Sequence, residues 1–290
     1  MSVKNQAAHS AHSAYFIYRH KLPIRIMHWI NVVCFIVLLM SGLNIFNAHA
    51  ALNIGKSSYN GQAPILEMNA AQSNTGKLIG YTTIFGHQFN TTGVFGVSQG
   101  PDGRVLQRGF PAWMTIPSSQ WLSMARHWHL FFAWLFVING ICYVIYSVLS
   151  KHVQRDLLTT KADRASIWQS IKDHARFKHA SGEDAKRYNV LQKITYLSVI
   201  FILLPLVILM GWAMSPFLNS LIPGWVDLFG GRQTARTIHF IVAWLLVGFV
   251  FIHVFLVITT GLWNNLRGMI SGQYKIEIQN NPSHKEGEQS

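Results

Sequence analysis

Four histidines lie inside the most apolar stretches of this 290-residue chain: His28, His129, His239 and His253. Ionisable side chains are costly in hydrocarbon and mark function there by default, and neutral imidazole is a ready metal ligand. Three of the four follow an arginine by three residues, in Arg25-x-x-His28, Arg126-x-x-His129 and Arg236-x-x-His239. On a helix that interval is about one turn, roughly 4.5 Å nearer the membrane surface. A single pair would read as an arginine snorkelling to the headgroups beside an interfacial histidine. Three pairs at equivalent depth point to a shared anionic neighbour.

One ambiguity must be settled first, because "ARHWHLFFAWLFV" (Ala125–Val137) carries both His127 and His129. Positions two apart lie about 200° round a helix, so only one can face a bundle interior. "ARTIHFIVAWLLV" (Ala235–Val247) aligns with the first stretch at seven of thirteen positions and sets His129 over His239. The register that pairs His127 with His239 matches nothing but the histidine. His129 is therefore the repeat partner, and His127 is a flanking surface residue. His253 lies fourteen residues after His239, which turns the helix back to within about 40° of the same face and advances about 21 Å.

The elements that must position these residues are transmembrane helices. Half of the residues are hydrophobic and only 12% are charged, roughly half the usual charged share. Spans long enough for a bilayer are expected near 26–46, 128–149, 194–215 and 238–262. Residues 1–25, 151–193 and 263–290 hold 17 of the 24 Lys and Arg, against 7 in 47–127 and 216–237. The positive-inside rule then places both termini and the 151–193 loop in the cytoplasm. The net charge of +13 is thus a topology signal, and nucleic acid is not an expected partner. Ala48-His49-Ala50 resembles a signal-peptidase site, but the preceding run is long for a signal-peptide core, so the first helix is expected to be retained. Cys34 and Cys142 sit in apolar runs and read as small core residues.

With that topology His28 is level with His253, and His129 with His239. Two stacked histidine pairs suit two metal centres. Copper or zinc usually takes further side-chain ligands, and the spans offer no carboxylate or thiolate cluster. A b-type haem needs only two axial imidazoles. Its propionates would account for Arg25, Arg126 and Arg236 by charge-assisted pairing. Gly42, Gly140, Gly211 and Gly248 either leave room for a flat macrocycle or allow close helix packing. Bis-histidine ligation leaves no open coordination position, so electron transfer is the natural use.

These residues resemble the di-haem cytochrome b subunits that anchor nickel–iron hydrogenases, formate dehydrogenase and thiosulfate reductase, nearest to the thiosulfate-reductase-type branch. The resemblance covers the four spans, about 23–270 less the long outer loop. It implies that His28 and His253 hold a cytoplasmic-side haem, and His129 and His239 an outer one. "RYNVLQK" (Arg187–Lys193) is similar to a Y-N-x-x-Q-K segment near the quinone pocket of formate dehydrogenase anchors. That likeness makes Tyr188, Asn189, Gln192 and Lys193 quinone candidates; read alone, Asn189 is as well a helix cap.

The expected fold class is an all-α integral membrane protein. It is a four-helix transmembrane bundle binding two b haems, with a long extracytoplasmic loop between helices 1 and 2. The domain plan is a cytoplasmic segment 1–25, a cytochrome b domain 26–270 with outer loop 47–127 and cytoplasmic loop 151–193, and a disordered tail 271–290. The outer loop holds a hairpin-like stretch, Tyr81–Val97, and serves as a partner-docking surface or a lid. "RASIWQSIKDHARF" (Arg164–Phe177) is a solvated helix or one lying on the membrane. The expected function is electron transfer between quinone and an extracytoplasmic redox enzyme, in the resemblance a molybdenum enzyme, at a bacterial inner membrane. The chain would be the electron-transfer subunit of a quinone-linked oxidoreductase complex. Rival expectations are a stand-alone cytochrome b acting on a small oxidant such as superoxide, and a haem-free anchor or transporter.

Overall fold

A computed structural model describes residues 14–58, 61–151 and 190–277. Among the described residues, four helices are long and apolar enough to cross a membrane: α1 (Leu22–Asn47), α2 (Leu122–Leu149), α3 (Val190–Ala213) and α5 (Arg232–Thr259). At 1.5 Å per residue even the shortest exceeds the roughly 30 Å of a hydrocarbon core. Their apolar faces turn outward: Phe131, Trp134, Val148, Phe251 and Ile252 are all more than half exposed. In water that exposure would be a liability, whereas against lipid it is the expected surface. The chain is a multi-pass membrane protein.

α1 starts with Pro23 in its first turn, where a missing N–H costs nothing. α3 carries a π-helical stretch at Val199–Leu203, directly before Pro205. Proline cannot donate to the carbonyl four residues back, and a wider turn absorbs the mismatch. A short helix α4 (Pro216–Leu221) and a 3-10 turn at Trp225–Phe229 connect α3 to α5. Helix α6 (Leu262–Ile270) follows α5.

The chain divides into two compact units. The larger holds Met27–Ser150 and Leu197–Phe251; the smaller holds, among the described residues, 14–26, 151, 190–196 and 252–277. In the smaller unit, strands β1 (Ala14–Tyr18) and β8 (Gln273–Glu277) pair antiparallel, joining the two ends of the described chain. Asn264 of α6 donates to the Lys275 carbonyl and accepts from its amide, both at 2.8 Å. Arg25 donates to the Ile270 carbonyl and to the Tyr18 hydroxyl.

In the larger unit the connection between α1 and α2 is a β-rich cap, so the expected all-helical architecture describes the spans and not this loop. Strands β2 (Ala51–Leu52), β3 (Leu66–Gln72), β4 (Leu78–Ile84) and β5 (His87–Asn90) form one antiparallel sheet in that order. The hairpin expected near Tyr81–Val97 is β4–β5, closed by Phe85 and Gly86, both at positive φ as a two-residue turn requires. A second ribbon pairs β6 (Gly96–Gln99) with β7 (Val105–Arg108). It lies so close to the first that a Cβ on Gly80 would come within 2.4 Å of the Phe95 carbonyl oxygen. Only glycine fits there.

The cap shares its core with the bundle. Leu43 and Phe46 of α1 cluster with Leu52, Met68 and Phe110 of the cap. Farther along, Val242 and Leu246 of α5 pack with Val199 of α3. Met210 and Ala213 of α3 pack with Ala235 of α5.

Candidate functional site

His129 of α2 and His239 of α5 face each other, ring centroids 6.2 Å apart and planes at 63°. Each ring is held from behind by a neighbouring helix. The Nδ1 of His129 lies 3.1 Å from the Ser41 hydroxyl of α1. That hydroxyl donates to the Val37 carbonyl at 2.6 Å, so it accepts from the imidazole. The Nδ1 of His239 donates to the Val207 carbonyl of α3 at 2.8 Å. Both rings therefore carry their proton on Nδ1 and keep the Nε2 lone pair available, the arrangement metal-ligating histidines adopt.

The spacing suits a metal between them. With about 2 Å from metal to each nitrogen, and roughly 1 Å more to each ring centre, a bis-imidazole iron sets centroids about 6 Å apart. Glycines stand where the rings meet their helices. A Cβ on Gly42 would lie 3.3 Å from the His129 Cε1, and one on Gly211 3.5 Å from the His239 Cε1. Gly140 and Gly248 have nothing within 4 Å of such a Cβ. The donor set and the fit are those of a b haem. No group of three or more His, Cys, Asp or Glu residues among the described residues offers a rival metal site.

His127 is exposed, one face away from His129. His28 of α1 packs edge-on against Trp29, ring centroids 5.6 Å apart, and belongs to the larger unit, whereas His253 belongs to the smaller. Arg126 is exposed. Arg236 donates to the His49 carbonyl and lies 5.5 Å above the Phe46 ring. His49, just beyond α1, holds its proton less tightly than an ordinary histidine, first through burial and second through the Arg236 charge, with Glu67 opposing. Gln192 and Lys193 sit in the first turn of α3, both half-buried. Tyr188, Asn189 and the Arg164–Phe177 segment lie outside the described residues.

The polar residues that organise this site are not titratable, and spacing arguments built on histidine and arginine pass over them. Ser41, Asn44 and Asn47 recur every third residue in "SGLNIFN" and form one stripe on α1. Asn44 donates to the Pro117 and Ser119 carbonyls, at 2.7 and 2.9 Å. Asn47 accepts from the Phe110 amide at 2.6 Å and donates to its carbonyl at 3.1 Å. Thr237 of α5 donates to the Asn53 carbonyl at 2.7 Å, while Gln233 and Thr234 amides reach the Gly55 carbonyl. Asn139 of α2 donates to the Met27 carbonyl and to Asn31 of α1, at 2.9 and 2.7 Å. The regular polar interval inside an apolar helix was the signal that would have found the stripe.

A sequence profile of the family described as prokaryotic cytochrome b561 matches residues 19–272. The chain belongs to that family, whose members are b-haem-binding membrane electron-transfer proteins. Among curated proteins it is 32% identical over 143 residues to a putative protein-methionine-sulfoxide reductase subunit YedZ1 of Azospira oryzae. The match covers 47% of this chain and 66% of that relative, so the chain spans less than two thirds of the relative's length. The thiosulfate-reductase-type branch is not singled out by these matches. No solved structure matches.

Proposed function

We propose that this chain is a di-haem membrane subunit that exchanges electrons between quinone and a redox enzyme docked on its outer face. The observation that carries the reading is the His129–His239 pair, with rings 6.2 Å apart and Nδ1 protons committed to Ser41 and Val207. A haem held by these residues would supply a one-electron Fe(III)/Fe(II) couple. The protein's part is to fix both imidazoles before the group binds, to exclude water with the cap core, and to hold the ligand tautomers.

The second haem is assigned to His28 and His253, on the register of the sequence and the pitch of α5. Arg25, Arg126 and Arg236 are the proposed propionate neighbours. Arg236, at the start of α5 beside the outer pair, is the best placed of them. Tyr188, Asn189, Gln192 and Lys193 are the proposed quinone contacts. Both termini are proposed to be cytoplasmic, at an inner membrane. The cap supports an outer partner, because it is built of paired strands, tied to α1 and α5, and carries exposed Phe85 and Trp113, the residue types enriched at interfaces. The name of the Azospira oryzae relative suggests that the partner resembles a protein-methionine-sulfoxide reductase. The same cap weighs against a stand-alone cytochrome acting on a small oxidant.

The reading is tested by haem content. Pyridine haemochrome analysis of purified protein is expected to give two haems per chain, His129→Ala one, and His127→Ala two. Retention of both haems by His129→Ala, or loss of one by His127→Ala, overturns the ligand assignment.

A further inference from the structure

Arg108 is one of the most deeply buried side chains among the described residues, 1% exposed, at the end of β7 in the cap. Its Nε donates to the Phe110 carbonyl at 2.8 Å, and its Nη2 to the Thr115 hydroxyl and the Ser118 carbonyl, both at 3.1 Å. Its Nη1 is buried and meets no acceptor among the described residues. No carboxylate among the described residues pairs with it. Residues 47–127 contain only two acidic side chains, Glu67 and Asp102, and Asp102 is engaged with the exposed Arg104 at 3.4 Å. Burial lowers the proton affinity of the Arg108 guanidinium, but arginine keeps its charge in proteins. Carbonyl and hydroxyl dipoles hold a cation; they do not cancel it.

Two short routes connect Arg108 to the histidine pair. Phe110, whose carbonyl takes the Arg108 Nε, places its ring 6.4 Å from Phe240, the residue after His239. Ser118 lies between Pro117 and Ser119, whose carbonyls bind Asn44, one turn along α1 from the Ser41 that holds His129. A buried charge acts over such distances with little screening, whereas an exposed one is damped by water and salt.

We propose that Arg108 is a fixed, uncompensated cation that raises the reduction potential of an iron held between His129 and His239. The inference rests on the proposed outer haem site and deepens it. A positive charge stabilises the reduced centre, which carries one more electron than the oxidised one, so the outer position becomes the easier to reduce. Arg108 bonds neither histidine and acts on the pair through its charge. Its charge, and not its contacts alone, is what matters.

The test is a redox titration of purified holoprotein followed at the haem absorbance bands, with the outer wave identified as the one that His129→Ala removes. Arg108→Gln is expected to shift that wave to lower potential while haem content and the other wave stay unchanged. Arg108→Lys, which keeps a cation, is expected to restore most of the shift. Thr115→Asp leaves Arg108 in place but sets a carboxylate against its Nη2, and is expected to lower the same wave. The control Arg104→Gln, on the exposed side of the cap, is expected to leave it in place.

An unmoved outer wave in both Arg108→Gln and Thr115→Asp makes Arg108 a loop clamp and overturns the proposal. If Arg108→Gln fails to fold, Thr115→Asp decides alone, and loss of the outer haem in Thr115→Asp also counts as a clamp. Persistence of both waves in His129→Ala sinks the ligand pair itself, an outcome separate from any result at Arg108.

Discussion

Two regions close over helix ends in this protein, and they are built on different principles. The cap meets α1 and α5 through side chains of those helices that reach its backbone carbonyls: Asn44, Asn47 and Thr237 each bond a main-chain oxygen. Its neighbours are fixed, and the Phe110 ring packs with Phe46, Phe95 and Trp244. The clasp of β1, β8 and α6 uses strand pairing and half-exposed cation–π contacts, with Arg19 4.5 Å over Tyr274 and Arg267 5.6 Å over Phe16. Trp263 and Ile270 stay exposed. The difference is one of preorganisation: the cap fixes the end of α1 and the start of α5 through polar bonds, and the clasp gathers the two ends of the described chain at lower stakes.

Paired substitutions break or sharpen that contrast. The largest effect is expected from Asn44→Ala, which strips two carbonyls of their donor inside the cap contact. At about 1–3 kcal/mol for each buried group left unpaired, thermal unfolding in detergent should move down by several degrees. Asn264→Ala in the clasp should cost less than half as much, and equal losses would erase the distinction. Next comes Ser41→Ala, which frees the His129 Nδ1. Loss of such a supporting hydrogen bond typically weakens metal retention about 10–100-fold, measurable as transfer of haem to an acceptor protein. Unchanged transfer would show that the Ser41 contact does not orient the ring.

The smallest effect concerns pH. The proton affinity of His49 is lowered in the folded cap, so the unfolded chain binds more protons once pH falls through the ordinary histidine range. Stability contributed by neutral His49 is then lost on acidification, and it is fully present above that range. His49→Gln should flatten the acid side of the cap's stability profile slightly, as followed by proteolysis of the cap between pH 5 and 7. A profile of unchanged slope removes His49 from the account.

The spanning helices were legible because hydrocarbon demands uninterrupted apolar runs, and runs such as Phe131–Val137 satisfy it. The facing of His129 and His239 was legible for a related reason: a repeat with one register leaves one histidine of two on the inner face. The β4–β5 hairpin announced itself by alternation of apolar residues; the Phe85-Gly86 turn that closes it did not. The rest of the cap did not. Its strands are short and interrupted by glycine, and Gly80 and Gly96 matter for an approach between ribbons that no local pattern encodes. Arg108 was invisible for a physical reason. A lone arginine in a polar loop reads as surface, and its burial depends on carbonyls brought together by the fold at Phe110 and Ser118.

The contacts between the 53–55 segment and α5 have a biosynthetic consequence. Asn53 and Gly55 bond Thr237, Thr234 and Gln233, partners about 180 residues later in the chain. A ribosome therefore delivers the cap long before it delivers what the cap must grip. Until the last span is threaded across the bilayer, the carbonyls of residues 53 and 55 have only water to answer them, and the partner of His129 has not been made. On the proposed ligand assignment, an unfinished polypeptide offers His129 without His239, so cofactor capture there waits for the completion of membrane insertion.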